Sequence, residues 1–108
     1  MWAASDSAFD IAFNDAKHYC ENYRGGGYSD WRLPTLDELY ELYKQGIRRV
    51  DDVPSQLITI HWRTWASEQV FYKDNLFSIG AFSFKIGRRH WVNPAATLDL
   101  RALPVRDL

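Results

Sequence analysis

The apolar residues of this chain change period once, at Gly46: before it they recur every three or four positions, and after it every two. Between Ala12 and Tyr23, the residues Phe13, Ala16, Tyr19, Cys20 and Tyr23 mark one buried face of an amphipathic helix, with Asp10 as the expected cap. Gly25-Gly26-Gly27 ends that helix, because residues without a β-carbon lower helix propensity and permit positive φ. A second helix is announced by Pro34 and by Thr35 with Glu38 three residues on, the pattern of a capping box, and Leu36, Leu39, Tyr40 and Tyr43 form its apolar stripe. Gly46 is its expected stop.

Beyond Gly46, Ile58, Ile60 and Trp62 alternate with Thr59, His61 and Arg63 in the rhythm of a half-buried strand. Val70-Phe71-Tyr72 and the stretch from Phe77 to Ile86 predict two more strands, joined by a turn at Lys73-Asp74-Asn75. Residues 88 to 97 lack periodicity, contain Asn93-Pro94, and read as an exposed connection. Leu98, Leu100, Ala102 and Val105 are expected to close the sheet, with Pro104 at an edge or bulge. Two helices followed by strands give an α+β order rather than the alternation of a doubly wound fold.

Seventeen aromatic rings in 108 residues supply ample apolar area for one core, and the length accommodates a single domain. No apolar run approaches the roughly eighteen residues of a membrane-spanning helix. The formal charge of -1 argues against a dedicated nucleic-acid binder. Its distribution is uneven: residues 1–54 carry six Lys/Arg against ten Asp/Glu, and residues 55–108 carry seven against four, so the second half is the one that attracts anions. No charged leader with an apolar stretch is visible, and Met1-Trp2-Ala3 leads almost directly into the helical pattern, as expected of a domain cut from a longer chain.

The densest signal is Gly27-Tyr28-Ser29-Asp30-Trp31-Arg32-Leu33-Pro34-Thr35, followed by Glu38-Leu39. A tight turn here delivers an indole and a guanidinium just before a capped helix. Trp31 can seal the core beneath the helix start, and Arg32 can hold carbonyls or a carboxylate with its fork of donors. Trp31, Arg32, Pro34, Thr35 and Glu38 are therefore assigned to structure.

This stretch resembles the bacterial domain family named after the C-terminal region of the Lcl collagen-like adhesin, a domain of unknown function. Met1-Trp2, Ala16, Tyr19-Cys20, Gly26 to Thr35 and Glu38-Leu39 occupy the places of that family's pattern. Trp65-Ala66-Ser67-Glu68, Phe84 to Gly87 and Arg101 to Arg106 match its later segments more loosely. The resemblance implies a C-type-lectin-like fold, with two helices packed on a small twisted antiparallel sheet, related to the formylglycine-generating (sulfatase-modifying) superfamily, and an extracytoplasmic setting in the bacterial envelope or outside it. It also implies ligand binding more than catalysis.

The chemistry of the residues points the same way. Formylglycine-generating enzymes use cysteines in their C-terminal part, whereas Cys20, the one thiol here, sits on the first helix's apolar stripe as a packing residue. Asp51-Asp52 reads as a solvated surface before a calcium site, and His18, His61 and His90 lack ligand spacing, so neither metal nor cofactor is indicated. Two segments combine rings with cations: Trp62, Arg63 and Trp65, and Arg88, Arg89, His90, Trp91 and Asn93. Indoles stack on sugar C–H faces or partner side chains, and arginines engage carboxylate or sulfate oxygens. These eight residues form the candidate surface for a glycan or protein ligand, an anionic one included. For Trp62 and Trp65 a place in the core competes with that role. The rival readings are a divergent catalytic domain on the sulfatase-modifying scaffold and a structural module of a larger assembly.

Overall fold

Thr35 and Glu38 cap a helix reciprocally: the Glu38 N–H donates to Thr35 Oγ1 at 3.1 Å, and the Thr35 N–H donates to Glu38 Oε1 at 2.8 Å. The computed structural model describes residues 1–3, 6–45 and 63–107. They form helices α1 (Phe13–Asn22) and α2 (Leu36–Lys44), and strands β1 (Arg63–Tyr72), β2 (Asn75–Ser83), β3 (Arg88–Val92) and β4 (Leu100–Arg101). The expected strand residues Ile58, Ile60 and Trp62 and the helix stop Gly46 lie outside the described residues.

The class is α+β, and the sheet order is β3-β2-β1-β4. The sheet is mixed, which corrects the antiparallel expectation: β1/β2 and β2/β3 are antiparallel, while β4 pairs with β1 in parallel through Arg63↔Leu100 and Thr64↔Arg101. Successive strand residues face opposite ways. On β2, Ile79 and Ala81 pack with Phe13, Ala16 and Cys20 of α1, whereas Phe82 packs with Leu36, Leu39 and Leu42 of α2. On β1, Trp65 joins the α1 side and Ala66 the α2 side. The sheet thus carries one helix on each face.

Two boundaries differ from expectation for long-range reasons. The N-cap position of α1 is Ala12, with no side-chain cap. Asp10 instead accepts from Arg101 Nε and from the Asp99 N–H, both at 3.2 Å, so its carboxylate serves β4. The stretch expected to be a loop begins as β3, the antiparallel neighbour of β2, and only residues beyond Val92 form turns. Between them, β2 ends at Ser83 and a turn carries the chain through Gly87, whose φ of 70° favours glycine. A β-carbon there would also lie 2.5 Å from the Tyr43 ring.

The peptide before α2 is tied to the sheet and to the far end of the chain. Arg32 and Val105 exchange backbone hydrogen bonds at 2.8 and 2.9 Å, and the Ser67 N–H donates to the Pro34 carbonyl at 2.8 Å. The Glu68 carboxylate accepts the Leu36 N–H at 3.0 Å from both oxygens, placing a negative group on the N-terminus of α2, where the helix dipole favours it. The Arg32 guanidinium donates to both Glu38 oxygens at 2.9 Å, to the Leu33 carbonyl at 3.1 Å and to Asp107 at 2.8 Å. Trp31 is buried beside it, its Nε1 donating to the Gly25 carbonyl at 3.2 Å and its ring 4.9 Å from that of Tyr23. Trp31, Arg32, Pro34, Thr35 and Glu38 thus form one cluster of capping, packing and fork contacts.

Arg32, followed by the Thr35 N–H, holds the Glu38 carboxyl down at about 2 against its usual 4.5. A lowered carboxyl pKa contributes stability that is fully present above about pH 4.5 and is lost as pH falls toward 2. The Glu38 side chain is 33% exposed, so solvent screening reduces the contribution to about 1–2 kcal/mol. Glu38→Gln should therefore be less stable than the parent by that amount at pH 7 in urea titrations, and the gap should close between pH 4.5 and 2. A gap that stays constant with pH would show that the charge contributes nothing.

Candidate functional site

The register of β3 on β2 sorts the cationic aromatic segment into two sets. Arg89 and Trp91 pair with Phe82 and Gly80 and face the α2 side; Arg88 and His90 pair with Ser83 and Ala81 and face the α1 side. The two neighbouring arginines therefore point away from each other.

On the α2 side, the Arg89 guanidinium pairs with Asp37 in the first turn of α2 and lies 5.9 Å from the Tyr40 ring centroid. The Lys44 ammonium approaches the same ring at 5.0 Å and pairs with Glu41 at 2.8 Å. Trp91 is 54% exposed, an unusually open position for an indole on a paired strand. Tyr40, which helical spacing placed in the core stripe, is exposed as well. Tyr40 and Asp37 join this surface only because β3 runs alongside α2. Their sequence neighbours carry no sign of it.

The remaining candidates have other work. Trp65 is 0% exposed, donates from Nε1 to the Ile11 carbonyl at 2.7 Å and packs edge-on to Phe13 at 5.7 Å. It belongs to the core and leaves the ligand surface. Arg63 donates its backbone N–H to the Asp99 carbonyl at 3.2 Å and its guanidinium to the Leu98 carbonyl, fastening the start of β1 to the turn before β4. Asn93 accepts the Ala95 N–H on Oδ1 at 2.8 Å and so shapes the turn after β3. His90 is half-buried, its Nε2 buried without a hydrogen-bond partner among the described residues. Arg88 is exposed on the α1 side. Trp62, His61 and Asp51-Asp52 lie outside the described residues.

A separate cleft of about 440 Å³ opens along α1. Asp15, His18, Tyr19, Asn22 and Tyr23 line it, together with Phe9 from the preceding turn. Their spacing of three and four marks a second stripe on α1, next to the buried one of Phe13, Ala16 and Cys20. Tyr19 and Tyr23 are only half-buried and sit at the boundary between the two stripes.

Among the described residues no group of three or more His, Cys, Asp or Glu side chains could hold a metal ion, and no helix is long and apolar enough to cross a membrane. No family model matches the chain, and no curated protein matches it.

Cys20 is fully buried in the α1 cluster. Burial, with a smaller contribution from the charge of Glu21, pushes its thiol up to about 12. A nucleophile needs the thiolate, so this position disfavours covalent chemistry. Alkylation by iodoacetamide at pH 8 should be slow in the native protein and complete in denaturant. Fast stoichiometric labelling of the folded protein would contradict this placement.

Proposed function

We propose that this chain is a ligand-binding module with a C-type-lectin-like fold, of the kind the Lcl C-terminal domain family represents, from a bacterial envelope or secreted protein. Its ligand is a glycan or a protein segment, recognised on the α2 side of the sheet by Arg89, Trp91 and Tyr40. The observation that carries the reading is the exposed Trp91 indole on the same strand face as a guanidinium held beside a tyrosine ring. An indole offers a flat apolar surface to sugar C–H groups or to a partner's side chain, and the guanidinium adds directed donors for carboxylate or sulfate oxygens.

The pairing of Arg89 with Asp37 is compatible with such a ligand. Both side chains are well exposed, and an exposed ion pair contributes only about 0–1 kcal/mol, so an acidic ligand can take over the guanidinium at small cost. The buried Cys20 stands against the catalytic alternative on the sulfatase-modifying scaffold. The assembly alternative draws on the β1–β2 hairpin, where Val70, Phe71, Tyr72 and Phe77 are all exposed.

The test is a glycan array carrying neutral, sialylated and sulfated glycans, followed by titration of the best binder. Trp91→Ala should weaken binding by about tenfold, and Arg89→Ala should weaken it and flatten its salt dependence. Arg88→Ala, on the opposite face, should leave it unchanged. Binding that survives Trp91→Ala and Arg89→Ala together would overturn the placement, and concentration-dependent self-association with no array signal would favour the assembly reading.

A further inference from the structure

We propose that the cleft along α1 is a second site, built to stack one pyranose ring of a glycan. It lies on the α1 side of the sheet, across from the Arg89–Trp91 surface, and does not depend on that reading.

The cleft is a corner of aromatic rings. Tyr19 and Tyr23, both half-buried, lie 6.1 Å apart with ring planes inclined by 32°. Phe9 stands at 90° to Tyr19 with centroids 6.4 Å apart, giving a wall. Phe9 is 56% exposed, yet the turn that presents it is closely held. Ala8 adopts a φ of 64°, its N–H donates to Asp6 Oδ1 at 2.9 Å, and Ser7 Oγ donates to the Phe9 carbonyl at 3.0 Å. Ser7 Oγ also accepts the Ala102 N–H at 3.1 Å, which anchors the turn to the sheet. A non-glycine residue at positive φ costs on the order of 1 kcal/mol, and here the surrounding contacts hold a large apolar ring out in water.

The rim supplies what hydroxyl groups require. The side chains of Asp15 and His18 make no hydrogen bond or ion pair to a described residue, leaving a carboxylate acceptor and an imidazole on the cleft edge. The Asn22 side-chain amide donates to the His18 carbonyl at 2.9 Å, which directs the amide group and leaves its oxygen as an acceptor. Burial, then the neighbouring Tyr23, holds the Tyr19 phenol above its ordinary value, so that hydroxyl remains a donor. Arg24, which also lines this end, donates from Nη1 to the Glu21 and Tyr23 carbonyls, both at 2.9 Å, which fixes a cation on the rim.

One apolar stacking face bordered by mixed donors and acceptors matches a pyranose, which presents C–H groups on its face and hydroxyls around its edge. A volume of about 440 Å³ admits one or two such rings. A nucleobase would also stack, but it has no ring of hydroxyls to satisfy this rim.

The probes are the methyl pyranosides of glucose, galactose and mannose, with inosine as the stacking control, titrated into ¹⁵N-labelled protein. At least one pyranoside should shift the amides of residues 9–24, and Phe9→Ala and Asp15→Asn should each weaken that binding by roughly fivefold to tenfold. Both side chains are exposed, and unchanged thermal midpoints will confirm that these variants fold. Trp91→Ala should leave the pyranoside shifts intact, which separates this site from the β3 surface. Absence of shifts at residues 9–24 with all three pyranosides, shifts indifferent to both variants, or inosine acting as strongly at the same amides would each overturn the proposal.

Discussion

The fork of Arg32 is the contact around which the rest of the structure is arranged. One guanidinium joins the first turn of α2 through Glu38, the peptide before it through the Leu33 carbonyl, and the C-terminal segment through Asp107. Its backbone pairs with Val105, and Glu68 from β1 closes the other side of the helix start. Three parts of the chain far apart in sequence, residues 32–38, Glu68 and residues 105–107, therefore meet at the start of α2. A lysine could not replace this residue, because a single ammonium lacks the planar set of donors that reaches both Glu38 oxygens while also holding a carbonyl. With these groups committed to one another, the proposed recognition is assigned to other parts of the surface.

The sheet decides which parts those are. Because α1 and α2 pack on opposite faces, every strand side chain that escapes burial emerges on one helix's side or the other. At β3 this rule divides a run of five residues into an Arg89–Trp91 pair beside α2 and an Arg88–His90 pair on the α1 side. Proximity in sequence thus overstates cooperation: Arg88 and Arg89 cannot grip one small ligand together. Conversely, Asp37 and Tyr40 reach Arg89 from about fifty residues earlier in the chain, because an edge strand runs past the start of a helix.

Much of the helical architecture was legible before the coordinates. The capping box and the buried Phe13, Ala16 and Cys20 of α1 rest on local rules, which operate within a few residues, whereas α1 ends at Asn22, before the glycines expected to stop it. The misreadings share a different origin. Asp10 looked like a cap because its demand by Arg101 comes from ninety-one residues away. β3 escaped notice because neither of its faces is continuously apolar: Arg88, His90 and Val92 alternate with Arg89 and Trp91, so an edge strand leaves no period-two hydrophobic signal. Trp65 carries the same ring as Trp91, and only the register against Ala81, facing α1, sends it into the core. The parallel pairing of β4 spans two residues, too few to leave any pattern.

The second stripe of α1 was present in the sequence at helical spacing, but Tyr19 and Tyr23 belong to both stripes and were absorbed into the buried one. Only the ring angles and the exposed Phe9 reveal an open corner there.

The central claim is that Arg32 and Glu38 act as a structural couple. A double-mutant cycle of Arg32→Gln, Glu38→Gln and the combined variant, followed by urea unfolding at pH 7, measures it directly. The account predicts a coupling energy of about 1–2 kcal/mol, with each single variant losing nearly as much stability as the pair. A coupling indistinguishable from zero would contradict it, because the fork would then hold nothing that the rest of the fold does not hold without it.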